Sequence, residues 1–370
     1  QGAAAVAVEL HNLLQYPSVK RLFYFSPIEG YKPEEIFSGD LGLLTVNYHR
    51  KAMYNLFQMI SYLGERRLSA QITGENTEGS ASYALATQDA ESGSIAVLAW
   101  NYWDQARTLD LSVSALPYRE QVGNFRVTRY LIDADHANYY RDYSAGLRGY
   151  EVGPTEALIP VEDDVYPATD TFFRRVSMSP HSVTLFVLES ADRDAVPGVI
   201  STPSLGLYNH AAAKAVEASS TLNIEGWERE RLVDGITHSL PNTFGWSSEL
   251  YGTPEQEVWV QVDLGQPAVV DAARLHPRDD YEYEGAGFPL DFVIQGAVEP
   301  DQWIDLVGAT GYDPGEIAHH VQTFEFTPGR YRYIRLLATR LGAVGEGGYA
   351  LQLAELEVIE ESKPVSVDGE

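Results

Sequence analysis

The 370-residue chain contains no cysteine. Disulfides, zinc–thiolate centres and thiol nucleophiles are therefore excluded, although the redox compartment stays open. Basic residues are scarce, with 26 Lys and Arg against 53 Asp and Glu, for a formal net charge of -27. A nucleic-acid binder needs a cationic face that releases phosphate counterions, and no Lys/Arg-rich stretch supplies one. Anionic membrane surfaces are disfavoured on the same ground, while neutral partners remain compatible. No apolar run reaches the ~18 residues that a membrane span requires. The start, Gln1-Gly2-Ala3, has neither an initiator Met nor the charged opening of a signal peptide, so the chain reads as processed, trimmed or cut from something longer.

Apolar residues make up 44% of the sequence, enough for well-formed cores, and the length suits two to three domains. Aromatics reach 11%, with 23 Tyr against 13 Phe and 6 Trp. Such a Tyr excess fits amphipathic rings on a sugar-binding surface, and it fits ordinary strand propensity equally well.

Residues 1–66 read as helix, strand, loop, helix. Val6, Leu10 and Leu13 recur at helical spacing before Pro17, and Arg21 to Ser26 has the length of a short buried strand. Met53, Leu56, Phe57, Ile60 and Leu63 form one apolar stripe, with Gly64 placed as a helix-ending glycine. One strand and two helices cannot close a parallel sheet, so this segment needs a partner. Residues 67–191 change to short strands at Tyr83–Thr87, Ile95–Asn101, Leu109–Val113, Phe125–Ile132 and Val183–Leu188, the pattern of a β-sandwich. A linker is expected over 192–206 and a second all-β domain over 207–360, with a disordered polar tail over 361–370. In that domain Val258, Val260, Val262 and Leu264 share one face of a strand. Leu351 and Leu353 lie on one parity and Leu356 and Val358 on the other, so a bulge is expected at Ala354-Glu355.

Phe23-Tyr24-Phe25-Ser26, Gly39 to Thr45, Lys51 to Phe57 and Leu63-Gly64, together with Val97 to Tyr102, Tyr130 to Asn138 and Ser182 to Leu185, resemble the C-terminal part of family 39 glycoside hydrolases. The resemblance covers about residues 5–190. It implies the last strand and helices of a (β/α)8 barrel followed by an accessory β-sandwich, in a secreted or cell-surface enzyme. Retaining glycosidases need two carboxyl groups about 5–5.5 Å apart. In that family they follow the fourth and seventh barrel strands, neither of which matches any part of this sequence. The rest of the barrel, as an upstream part or a separate chain, is then an implied partner. The barrel wall would keep Phe23 and Phe25, as a sugar-stacking floor or as packed strand aromatics, and Glu29 on the loop.

In the final domain Ala218-Ser219-Ser220, Leu232 to Gly235, Gly245-Trp246, Trp259 to Gly265, Gly287-Phe288-Pro289, Asp291-Phe292, Trp303, Arg332 to Leu336 and Leu353 to Leu356 together resemble the discoidin, or coagulation factor V/VIII type C, fold and its sugar-binding branch, the family 32 carbohydrate-binding modules. The resemblance implies a β jelly roll in an overall mainly β chain. It also implies a structural Ca2+ held by Asp234 and Glu355, with Thr237 or Ser239 adding a hydroxyl; the alternative is a capped turn beside an exposed Glu. Sugar sites in such modules combine aromatic platforms with polar donors, which points to Arg278, Tyr349, Tyr281, Tyr283, Phe244 and His238. Trp246 and Trp259 are assigned to the core, and Asp279 to Glu284 to a solvated acidic loop.

The leading expectation is thus part of a secreted glycosidase whose module holds a neutral polysaccharide or glycan. The alternative is a non-catalytic carbohydrate-binding or adhesion protein of discoidin type. The isolated chain is expected to show no turnover of aryl glycosides; an enzyme-like rate in a colorimetric assay would overturn the reading of the missing carboxylates.

Overall fold

The run from Ile95 to Asn101 has no polar alternation, and the structure gives the reason. The computed structural model describes residues 2–16, 18–19, 21–24, 26–30, 37, 41–73, 82–119, 124–146, 155–192, 194–198, 200, 208–280, 282–315, 318, 320–345 and 348–360. It divides into two compact units, one holding 1–28, 41–144 and 152–205, the other holding 206–370 with 29–40 and 145–151.

The first unit contains helices α1 (Gly2–Leu13) and α2 (Ala52–Ile60) and strands β1 (Ser82–Gln88), β2 (Ile95–Asn101), β3 (Arg107–Ser114), β4 (Asn124–Ile132), β5 (Pro160–Pro167), β6 (Thr171–Met178) and β7 (Ser182–Ala191). An antiparallel sheet runs in the order Arg66–Arg67, β1, β2, β7, β4, β5, and β3 pairs with β6 as a separate ribbon. Ile95 and Val97 point into a core with Phe125, Phe172 and Phe186. Ala96, Leu98 and Trp100 point the other way, into a core with Ala3, Ala7 and Leu56 of the helices. A strand covered on both faces must be apolar at every position, and β7 repeats the pattern with Phe186 and Leu188 against Val183, Leu185 and Val187. The helices and the sheet therefore share one hydrophobic core.

Three local readings are corrected. The stripe that α1 buries is Ala3, Ala4 and Ala7, with Val6, Leu10 and Leu13 only half-buried; small side chains let the helix lie close to the sheet. Gly64 does not adopt the left-handed conformation of a helix-ending glycine. Its hydrogen faces the Gln88 and Asp89 backbone, where a Cβ would collide. Arg21 to Tyr24 form no strand, and Leu22 and Phe23 stand exposed, the latter at 82%. A strand requires a neighbour to take its hydrogen bonds, and the one parallel bridge nearby among the described residues, Ile28 to Leu44, falls beyond this segment.

The second unit contains β8 (Ala215–Ala218), β9 (Val258–His276), β10 (Asp291–Ala297), β11 (Ile304–Ala309), β12 (Gln322–Arg340) and β13 (Glu355–Glu360). The main sheet runs β11, β10, β12, β9, β13 and then Tyr208–Asn209, with β8 pairing the other stretch of β9. Val258, Val260, Val262 and Leu264 are buried on one face, while Trp259 lies half-buried on the opposite parity rather than in the core. Trp246 is fully buried, its indole donating to Thr221 Oγ1 at 3.2 Å. The chain leaves strand geometry at Ala354, between Gln352–Leu353 and β13, so that Leu351, Leu353, Leu356 and Val358 all reach one core. The parity shift expected from the sequence thus comes from a change of partner, Gln352–Leu353 pairing with Trp246–Ser247 and β13 with β9, rather than from a bulge within one ladder. The tail over 361–370 and the linker residues 201–206 lie outside the described residues.

Leu56→Ala is expected to destabilise the first unit by about 2–5 kcal/mol, the cost of a cavity at a fully buried site. Urea unfolding followed by tryptophan fluorescence checks this, and an unchanged midpoint would contradict the shared core.

Candidate functional site

β9 ends at His276, and the chain turns through Pro277 into Arg278, which is buried. The Arg278 guanidinium lies 4.1 Å from the Tyr283 ring centre, 5.0 Å from Trp227 and 6.0 Å from Phe244. Trp227 and Phe244 stack on each other at 5.3 Å. Asp280 grips the guanidinium edge in a two-bonded fork, Nη2 to Oδ2 at 2.8 Å and Nε to Oδ1 shorter still. Nη1 donates to Gln352 Oε1 at 3.3 Å. A planar cation can offer its faces to rings while its edge is taken by a carboxylate, and lysine cannot reproduce that division.

The neighbouring loop is tied to the same acidic run. His238 Nδ1 stands 2.6 Å from Asp279 Oδ2, and the Ser239 N–H donates to Asp279 Oδ1 at 2.7 Å. Ser239 Oγ donates to the Phe244 carbonyl at 2.9 Å, closing the loop on itself. Gly245, at φ +108°, lies so close to the Leu353 carbonyl that a Cβ would collide with it. Tyr283 remains 40% exposed, and Phe244, His238, Asp279 and Asp280 are half-buried. A flat ring stacked on a guanidinium that a carboxylate and an amide hold in place suits a ligand with one apolar face and several hydroxyls.

Beneath the loop lie two acids. The Gly235 N–H donates to Glu355 Oε1 at 3.0 Å, and the Ile236 N–H donates to Asp234 Oδ1 at 2.9 Å. Arg231 approaches Asp234 at 3.5 Å. Burial pushes the Asp234 carboxyl up to about 6, against the partial offset of the Ile236 N–H and Arg231. Glu355, fully buried, is raised well above the usual carboxylate range, first by burial and then by the negative charges of Asp234 and Glu357. Glu357 itself meets His276 at 3.0 Å. Glu355 Oε2 has no hydrogen-bond donor among the described residues. Glu355 is fully buried and the Asp234 side chain nearly so. Buried acids, an orphaned carboxylate oxygen and the buried Thr237 hydroxyl in an irregular turn suit a hard, oxygen-seeking cation such as calcium. Ser239 is engaged within the loop instead.

The structure therefore brings together Arg278, Phe244 and His238, and separately Asp234, Thr237 and Glu355. Tyr349 goes elsewhere: its ring packs on the core and its backbone exchanges hydrogen bonds with Tyr251 at 2.8 and 3.0 Å. Tyr281 and Phe25 lie outside the described residues. Phe23 is exposed and Glu29 is buried. Trp227, Gln352, Asp279 and Asp280 were not expected at the site. The two aspartates sit in a run that reads as a solvated acidic loop, and their adjacency to Arg278 in the sequence was the available signal.

Residues 215–355 match the F5/8 type C domain family. Solved structures similar to the chain include chitosan-binding module 1 derived from a chitosanase/glucanase of Paenibacillus sp. IK-5, 24% identical over 41% of this chain and 98% of that one, with a TM-score of 0.31. A fucose binding module of Streptococcus pneumoniae is 23% identical over 42% and 97% of the two chains, TM-score 0.32. CBM32-3 from a family 31 glycoside hydrolase of Clostridium perfringens is 15% identical over 42% and 95%, TM-score 0.35. No curated protein matches the sequence. The Arg278 cluster and the Asp234–Glu355 turn both fall within the F5/8 type C domain.

Calcium added to metal-free protein is expected to raise the Tm of the F5/8 type C domain by several degrees, since occupancy at 100 times the dissociation constant stabilises by about 2.7 kcal/mol. Glu355→Gln should lose that response without losing stability in the metal-free state, because it removes a like charge and keeps the Gly235 hydrogen bond. A calcium-induced shift of equal size in the variant would rule out this assignment.

Proposed function

We propose that the F5/8 type C domain is a carbohydrate-binding module, and that the chain belongs to a secreted glycoside hydrolase of retaining type whose catalytic carboxylates lie outside it. The module holds a neutral glycan on the exposed Tyr283 ring, with His238, Asp279 and the edge of the Arg278 cluster reading its hydroxyls. Calcium on Asp234, Thr237 and Glu355 fixes the turn from which the His238 loop departs. The host enzyme rests on the resemblance of residues 5–190 to the end of a glycosidase barrel and its sandwich.

The observation that carries the binding function is the Arg278 cluster. A guanidinium wrapped by three rings and forked by Asp280 positions a partly exposed aromatic plate that the core does not require. The net charge of -27 and the acids at the rim oppose sialylated or uronic ligands.

On a glycan array the full chain is expected to bind neutral glycans. Tyr283→Ala should weaken binding by about tenfold or more with at most a small shift of the melting curve, because the residue is 40% exposed. Arg278→Lys should lose binding and some stability together, through loss of the fork and the stacking. A chain that bound no glycan, or a Tyr283→Ala variant with full affinity, would favour an adhesin of discoidin type instead.

A further inference from the structure

The F5/8 type C domain carries a second concavity, on the outward face of its sheet and built from other residues than the loop site. It is a cavity of about 340 Å3 lined by Ala215 and Glu217 of β8, Gln261 and Asp263 of β9, Tyr333 of β12, and Pro300, Asp301 and Trp303 of the loop before β11. That volume falls at the lower end of the ~300–1,000 Å3 typical of small-ligand sites. Strand register makes its floor: Glu217 lies opposite Gln261, which lies opposite Arg335, and Ala215 lies opposite Asp263, which lies opposite Tyr333. The small Ala215 side chain leaves the depression open at one corner.

Both aromatic rings are propped by cations that are themselves anchored. Arg335 lies 4.0 Å from the Trp303 ring centre and donates from Nε and Nη2 to Gln295 Oε1 at 2.9 and 2.6 Å; Gln295 is in turn fixed to Asp305 at 2.6 Å. Arg332 lies 4.9 Å from the Tyr333 ring and forks onto Asp263 with two bonds of 2.8 Å. Such bracing fixes ring orientation before any ligand arrives, which lowers the entropy cost of stacking. The remaining polar groups are acceptors in excess. Glu217 takes one hydrogen bond, from Gln261 Nε2 at 2.9 Å, and Asp301 stands exposed on the rim. Glu257 and Asp305 add further negative charge around Arg335. The lining residues include no Lys or Arg.

We infer that this groove is a second saccharide subsite, separate from the loop site, that takes sugar units bearing free amino groups. Trp303 and Tyr333 receive the apolar face of the ring, while Glu217 and Asp301 take the ammonium. A neutral sugar would satisfy the rings and leave the excess of acids over cations in place, and an acidic sugar would be repelled. The groove goes beyond the loop-site reading and does not depend on it.

The test is calorimetry of the full chain with a β-1,4-linked glucosamine tetramer, its fully N-acetylated counterpart and a cello-tetraose control. The glucosamine tetramer should bind, and more weakly as salt is raised from 50 to about 300 mM, since the screening length shortens from about 14 Å to about 6 Å over that range. Trp303→Ala and the milder Glu217→Gln should each weaken that binding about tenfold or more, while Tyr283→Ala at the loop site leaves it unchanged. Equal affinity for the N-acetylated or neutral tetramer would overturn the amino-group assignment. Binding lost in Tyr283→Ala but retained in Trp303→Ala would place the ligand at the loop site and sink the groove. Absence of any binding would do the same.

Discussion

Two acids buried against one turn cannot both carry full charge in a low-dielectric interior unless something positive stands between them. Asp234 and Glu355 are in that position: burial holds both above their ordinary range, and for Glu355 the charges of Asp234 and Glu357 add to it. The arrangement exists because the chain breaks strand geometry at Ala354. Without that interruption Glu355 would share a parity with Leu351 and Leu353, and one set of side chains would lose the core. The same break sets Gln352 against Arg278 and brings the Leu353 carbonyl against Gly245. A single irregularity in the last strand thus links the acid pair, the loop from 234 to 247 and the aromatic cluster.

The first unit solves a different packing problem. Its central strands are clad on both faces, by helices on one side and by the β3–β6 ribbon on the other. Its outer strand β5 is the opposite case. Glu162 and Asp163 sit in that strand and pair with Arg129 at 2.8 Å, Arg174 at 2.8 Å and Arg126 at 2.9 Å from neighbouring strands. Charged edges of this kind discourage pairing with another chain.

These two regimes explain what could be read in advance. β1, β2, β4 and β7 announce themselves because continuous or alternating apolar runs have few other uses. β5 escapes notice, since Pro160-Val161-Glu162-Asp163-Asp164 resembles a turn until the arginines that answer its acids are seen in place. β6 is hidden for a related reason: Arg174 and Arg175 interrupt an otherwise aromatic stretch. At the loop end, the sequence pointed to Arg278, Phe244 and His238, which the fold gathers around one turn, and to Asp234 and Glu355, which it brings against another. It did not point to Trp227 or Gln352, because their relevance comes only from loops that converge from distant parts of the chain. Trp259 shows the converse error: a large aromatic in a strand looks like core, yet parity sends it outward.

One pairing at the edge of the F5/8 type C domain bears on how such a unit is mounted. Tyr208–Asn209, where the domain is entered, lies antiparallel to Ile359–Glu360, where its last strand finishes, and Asn209 also clasps Val358 through its side chain. Entry and exit are therefore side by side. Glu355 stands at the far end of the same strand, roughly 13 Å away at ~3.3 Å per residue. A unit of that design meets its flanking chain at one edge and keeps the turn at Asp234 and Glu355 at the opposite end of that strand.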